Sequence, residues 1–454
     1  MKFHLKKIPI FICQLVLCTL MCAAPAFAAF TPPFEPDAAA VYVINLDTGV
    51  LVYEKNADEP RDIASLTKLM TCLLLLENEA DLDTVVTAPG YVFDELFGQG
   101  GSTADIRPYE QVSCRNLLYA MLLPSANEAA NITADHIGGG NMEAFFSMMN
   151  SRAAQLGCTN TNFTNAHGLF GKEAGNYSTA HDLALIAQAC WKNDVFREAA
   201  QTNVHWMPLS NKHTVVEVSG GPEGMAYPIR TTNRMQEKSS GVYRSYIQGI
   251  KTGSTIEAGR NFVSTATQNG TTYLAVVLGS PWEPAEDGYS VAFHVTANLY
   301  DWIFSSFQVA PALDTEKPLQ EVDVKYCSEK DTLAVYPASD FMTLLPTESD
   351  DSVVQKTYRL PETVAAPIRA GDVIGTVTLT MAGEELGTVK LISKSDLERN
   401  DFMYFLDKAQ SFLTSRFFFF IVLLAAAAVI AYIAFIRALH HKDEKRRKIR
   451  RRRM

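Results

Sequence analysis

The stretch "RDIASLTKLMTCLLLLENEA", residues 61–80, sets a serine and a lysine one helical turn apart at the head of an apolar run. On a helix, positions i and i+3 share a face with Cβ atoms about 5–6 Å apart, so the Lys68 amine reaches the Ser65 hydroxyl. A helix start also offers free N–H groups and the positive end of the dipole to an anionic intermediate. The apolar run "LMTCLLLL" desolvates Lys68, which lowers an amine's pKa towards that of a general base. S-x-x-K is thus a minimal serine nucleophile with its base. The pair alone is weak, since Ser is a common helix cap.

Two further segments strengthen it. "LLPSANEAANITADHIGG", residues 122–139, places Ser125-Ala126-Asn127 after Pro124 at a helix start. "GIKTGSTIEAG", residues 249–259, places Lys251-Thr252-Gly253 on a strand edge. Taken singly, S-x-N reads as another cap and K-T-G as a turn. In this order, behind a helical S-x-x-K, the three resemble the penicillin-recognising serine enzymes, in which they line one cleft. The stretches "VINLDTGVLVYEKNADEPRDIASLTKLMT", "NAHGL", "YSTAHDLALIA" and "GIKTGSTIEAGRNFVSTA" resemble the low-molecular-mass penicillin-binding proteins that are serine-type D-alanyl-D-alanine carboxypeptidases of the peptidase S11 family. "LPETVAAPIRAGDVIGTVTL" is similar to that family's C-terminal β domain.

The resemblance implies an α+β fold, a β-lactamase/transpeptidase-like domain followed by a small all-β domain. It implies that Ser65 attacks the carbonyl between two terminal D-alanines and that Lys68 accepts its proton. Ser125 and Asn127 then extend the proton network and hold the substrate amide, and Lys251 and Thr252 meet the terminal carboxylate. The backbone N–H groups of Ser65 and Ser254 form the oxyanion hole, and Gly253 counts with Asn127, Lys251, Thr252 and Ser254 among the substrate-binding residues. Ser254 replaces a histidine often found after K-T-G in the family, and no arginine closely follows "VVLGSPWEPAEDGYS". The implied ligands are peptidoglycan stem peptides ending in D-Ala-D-Ala and β-lactams, with no metal or cofactor. Two rival readings are a β-lactamase, which differs in how fast water removes the acyl group, and a catalytically silent penicillin-binding wall protein.

The pattern of elements agrees. "AAVYVINLDTGVLVYEKNAD" holds two β-rich runs around the turn Asp47-Thr48-Gly49. A helical region runs from Ser65 to about residue 200. Strand signals return at "GIKTGST", "RNFVSTATQNG" and "TTYLAVVLGS", split by an Asn269-Gly270 turn. Strands, helices and strands again predict one antiparallel sheet built from both ends of a domain and covered by helices. From about Leu319 the texture becomes short strands with many turns.

Both termini read as membrane-related. Residues 1–28 read as a secretory signal, with Lys2, Lys6 and Lys7, an apolar core from Ile8 to Met21 and Ala26-Phe27-Ala28. Phe417 to Ile436 carries no charge, and twenty helical residues span about 30 Å, the thickness of a bilayer core. The tail "KDEKRRKIRRRRM" is basic, and basic residues stay cytoplasmic. The expected boundaries are signal 1–28, catalytic domain 29–312, β domain 313–394, amphipathic juncture 395–416, span 417–436 and tail 437–454. This puts the body on the external side of a bacterial cell membrane, held by one span that meets lipid. The whole chain carries −10 at pH 7, and since both termini are basic the body between them is more acidic still, which excludes nucleic acid as its partner.

Cys72, Cys114, Cys158, Cys190 and Cys327 match no CxxC pattern and read as buried apolar residues. His167 and His181 tempt towards a triad, but Thr179 with Asp182 reads as a capping box and "NAHGL" as a packed loop. Glu128 reads as solvated or capping.

Overall fold

The computed structural model describes residues 30–169, 175–347, 353–381 and 383–451. The expected signal lies outside them. The chain divides into two compact units, Met1–Ala310 with Met342–Val353, and Pro311–Phe341 with Val354–Met454.

In the first unit the strands are β1 (Ala40–Asn45), β2 (Leu51–Lys55), β3 (Val85–Thr87), β4 (Gln111–Ser113), β5 (Val204–Pro208), β6 (Met225–Arg230), β7 (Lys251–Thr255), β8 (Gly259–Gln268) and β9 (Thr271–Ser280). The helices are α1 (Lys68–Asn78), α2 (Cys114–Leu122), α3 (Asn127–Ile137), α4 (Met142–Gln155), α5 (Ala180–Trp191), α6 (Asp194–Gln201) and α7 (Val291–Ser306). Five strands form an antiparallel sheet in the order β2-β1-β9-β8-β7, as the strands-helices-strands pattern predicts. The β1–β2 turn is closed by Asn45 Oδ1, which accepts from Thr48 N at 2.8 Å, and Gly49 takes φ +74°.

Strand β1 is buried along its whole length, so both faces of the sheet must be covered. Its alternation assigns the faces. Ala40, Tyr42 and Ile44 join the core of α1 to α6, with Leu66, Leu69 and Leu73. Val41 and Val43 join the opposite core, with Leu299, Tyr300 and Ile303 of α7. Each fully buried leucine or isoleucine contributes roughly 1.5–3 kcal/mol relative to exposure. Helix starts follow the sequence cues: Ser113 Oγ accepts from Asn116 N and Thr179 Oγ1 accepts from Asp182 N at 3.0 Å, the expected cap of α5. All five described cysteines are free, and all are buried, as expected of them.

The segment Met342–Val353 belongs to the first unit, so the chain leaves that unit and returns to it once. The strands that frame this excursion are β10 (Phe307–Leu313) and β13 (Phe341–Pro346), which pair with each other. The second unit is a six-stranded sheet of β11 (Gln320–Lys325), β12 (Thr332–Pro337), β14 (Gln355–Arg359), β15 (Thr363–Ala365), β16 (Val373–Met381) and β17 (Glu384–Ser393). It ends in α8 (Asp401–Leu413) and α9 (Arg416–Arg451). Helix α8 exposes Phe402, Phe405, Leu406 and Phe412, and is tied to the sheet by Tyr326, whose hydroxyl donates to Asp407 Oδ2 at 2.6 Å. Over Arg416–Lys442, α9 is long and apolar enough to cross a membrane, and none of its most apolar stretch is buried.

Candidate active site

The sequence places Ser65 at a helix start; the structure refines this. Ser65 lies in a 3₁₀ turn, Ala64–Thr67, that leads into α1. Ala64 takes φ +46°, a conformation rare for residues with a side chain, which sets the serine at a corner before the regular helix begins. Two neighbours hold the corner. Thr67 Oγ1 donates to Ala64 O at 2.9 Å. Gly168 of the Asn165–Leu169 loop lies so close that a Cβ there would fall 1.9 Å from Ala64 O.

Lys68, the first residue of α1, is fully buried. Its Nζ lies 3.0 Å from Ser65 Oγ, 2.7 Å from Asn127 Oδ1 and 2.7 Å from His167 O. Burial, reinforced by the charge of Lys251, holds its pKa well below that of a free lysine. With two N–H groups committed to Asn127 and His167, a neutral amine turns its lone pair towards Ser65. The His167 carbonyl is itself positioned. Asn165 Oδ1 accepts from Gly168 N at 2.7 Å, His167 Nδ1 accepts from Leu169 N at 3.0 Å, and Nε2 faces Glu95 Oε1 at 3.1 Å.

Ser125 precedes α3 with φ +68°, and its buried hydroxyl makes no hydrogen bond to the described protein atoms. It lines the same cleft as Ser65. Asn127, the first residue of α3, is anchored by its N–H on Ser102 O at 2.9 Å. Glu128, read as solvated or capping, is in fact buried. One carboxylate oxygen accepts from Thr103 Oγ1 at 2.7 Å and Ala104 N at 2.6 Å, so it braces the segment that holds Asn127, and burial raises its pKa.

Lys251, Thr252, Gly253 and Ser254 lie on β7, an edge strand, as expected. A Cβ on Gly253 would lie 2.9 Å from Ile63 O and 3.0 Å from Leu66 N, so the glycine lets β7 press against the serine turn. Lys251 is buried, its Nζ donates to Thr252 O at 2.7 Å, and burial lowers its pKa to about 7. Thr252 Oγ1 shares a 2.6 Å hydrogen bond with Thr232 Oγ1.

The structure therefore brings Ser65, Lys68, Ser125, Asn127 and the Lys251–Ser254 strand together around one cleft of about 210 Å³. Sequence reading missed three contributors. Thr232 carries no motif, and the His167 carbonyl is backbone chemistry that no side-chain pattern announces. Arg260 lines the cleft beside Ser254, and the register Ser254↔Arg260 becomes readable only when the length of the β7–β8 turn is known.

Residues 26–281 match the family described as D-alanyl-D-alanine carboxypeptidase, peptidase S11. The chain belongs to this family. Residues 307–399 match the C-terminal domain of penicillin-binding protein 5. The chain is 27% identical over 379 residues to the D-alanyl-D-alanine carboxypeptidase DacF of Bacillus subtilis, covering 83% of this chain and 90% of that one. It is 33% identical over 273 residues to the D-alanyl-D-alanine carboxypeptidase of Streptomyces sp. strain K15, covering 58% and 88%. Penicillin-binding protein 5 from Haemophilus influenzae superposes with a TM-score of 0.59 at 25% identity, over 82% of this chain and all of that one. The expected α+β penicillin-binding fold with a C-terminal β domain and a terminal apolar helix is thus borne out. The family is one of hydrolases, and neither the β-lactamase nor the silent-protein reading is favoured.

Proposed function

We propose that this chain removes the terminal D-alanine from peptidoglycan pentapeptides through an acyl-enzyme on Ser65, and that β-lactams acylate the same serine. The observation that carries the reading is the buried Lys68 amine, held by Asn127 and His167 O within 3.0 Å of Ser65 Oγ. Ser65 Oγ attacks the penultimate carbonyl and its proton passes to Lys68 Nζ. The N–H groups of Ser65 and Ser254 stabilise the oxyanion. As the C–N bond breaks, the departing amine takes a proton relayed from Lys68 through Ser125, whose hydroxyl has no competing partner among the described residues. Water, deprotonated by the same network, then cleaves the Ser65 ester. Asn127 also holds the substrate amide, and Thr252, Gly253 and Ser254 form the wall on which the C-terminal residue lies, with Lys251 buried behind it.

Placement follows from both ends of the chain. Residues 1–28 act as a leader removed on export, 29–312 as the catalytic domain and 313–394 as the β domain. Residues 395–416 lie at the membrane interface, 417–436 form a single span and 437–454 a cytoplasmic tail on anionic lipid. The catalytic domain faces outwards, where stem peptides are found.

The test is covalent. Ser65→Ala is expected to abolish both D-alanine release from a D-Ala-D-Ala pentapeptide and labelling by a fluorescent penicillin. Lys68→Ala should lose nearly as much, because a nucleophile and its base act as one unit. Labelling of Ser65→Ala at the wild-type level would remove Ser65 from the mechanism.

A further inference from the structure

The geometry points to Arg260 as the residue that reads the substrate's terminal carboxylate and, by standing at the end of the cleft, restricts cleavage to the last residue of a peptide. This inference rests on the carboxypeptidase reading and assigns its specificity.

Arg260 is the one charged side chain lining the cleft that holds Ser65, among the described residues. Its place is set by strand pairing. It sits on β8 directly opposite Ser254 on β7, and Thr252 lies two residues from Ser254, so all three point to one face of the sheet edge. The guanidinium is fixed. Its carbon lies 4.0 Å from the centre of the Trp282 ring, Nε donates to Trp282 O at 3.2 Å, and one terminal nitrogen lies 3.4 Å from Ser254 Oγ. No ion pair among the described residues engages it, and its second terminal nitrogen has no partner there. A guanidinium held in this way keeps that nitrogen to donate to a carboxylate, in a charge-assisted hydrogen bond. Lys251 suits that task less well. It is buried, does not line the cleft, and donates to Thr252 O.

Beyond Arg260 lies a second hollow of about 470 Å³, bounded by Arg234, Glu237 and Tyr289. Arg260, Ser290 and Phe293 line both hollows, so the guanidinium stands between them. On the proposed reading, a peptide that continues past the scissile bond runs on towards the second hollow. One that ends in a carboxylate stops at the arginine and is held by it.

The experiment uses the full-length protein in detergent with three peptides: one ending in D-Ala-D-Ala, the same peptide amidated, and the same peptide extended by glycine. The wild type should favour the acid over the amide by about 10- to 150-fold in kcat/KM, the range of a charge-assisted hydrogen bond. In Arg260→Ala that ratio should fall towards one, and cleavage within the extended peptide should rise relative to the acid. Arg260→Gln, which keeps the stem on Trp282, should collapse the ratio as well, so a packing defect is not mistaken for lost recognition. Arg260→Lys should keep part of it. A wild-type acid-to-amide ratio in both Arg260→Ala and Arg260→Gln would overturn the assignment and leave the carboxypeptidase reading standing. Failure of the wild type to release D-alanine from the acid would overturn that reading, and the role of Arg260 with it.

Discussion

Lys68 shows how a single residue becomes a base through its surroundings. An ammonium stripped of water is costly, so burial favours the neutral form and the pKa falls well below 10.5. The neighbouring charge of Lys251 acts in the same direction. The kinetic sign follows: protonated Lys68 cannot take the Ser65 proton, so acylation should rise with pH as Lys68 deprotonates, then level off. The expected outcome is an acid limb in the rate of penicillin acylation whose midpoint lies well below the free lysine value. A limb at the ordinary lysine pKa would show that the base is not a desolvated amine. Lys68→Arg should leave no such limb and little activity, since a guanidinium does not deprotonate in the working range.

Among the elements, the 3₁₀ turn Ala64–Thr67 depends on two glycines that approach it from other parts of the chain. Gly168→Ala meets both a φ of +79° and a near collision with Ala64 O. The backbone conformation alone should cost roughly 1–3 kcal/mol, and the collision displaces the residue before Ser65. Gly270→Ala serves as the contrast: its φ is +81° but its Cβ would point into open space. Both variants should lower the melting temperature, but only Gly168→Ala should slow penicillin labelling of the folded protein. Equal labelling of the two would show that the glycine contact does not set the serine. These elements also mark what sequence can reveal. Hairpins, caps and the S-x-x-K, S-x-N and K-T-G segments were legible because each is local, written within a few residues of itself. The bend at Ala64, the His167 carbonyl on Lys68 and the burial of Glu128 were not, because each is imposed by a distant segment packing against it. Arg260 falls between these cases, its residue visible but its facing fixed only by the β7–β8 register.

At the scale of the whole molecule, the unburied apolar stretch of α9, followed by a basic tail, suggests a membrane anchor. Protease added to intact protoplasts is expected to digest residues 29 to about 410 and to spare an epitope tag placed after Met454. A tag reached without permeabilisation would reverse the orientation. The sheet order adds a consequence for biogenesis. Strand β1 lies between β2 and β9, with Val41 paired to Val277, so the early hairpin finds its second neighbour only when the chain near Ser280 is present. Such distant pairing is slow, because the loop must close before its contacts contribute. On the export proposed above, a nascent chain carries its first two strands as an unfinished ribbon through most of the catalytic unit's passage. Late closure would then leave the polypeptide loose in a narrow translocation channel and postpone assembly of Ser65 with the Lys251 strand until both have crossed.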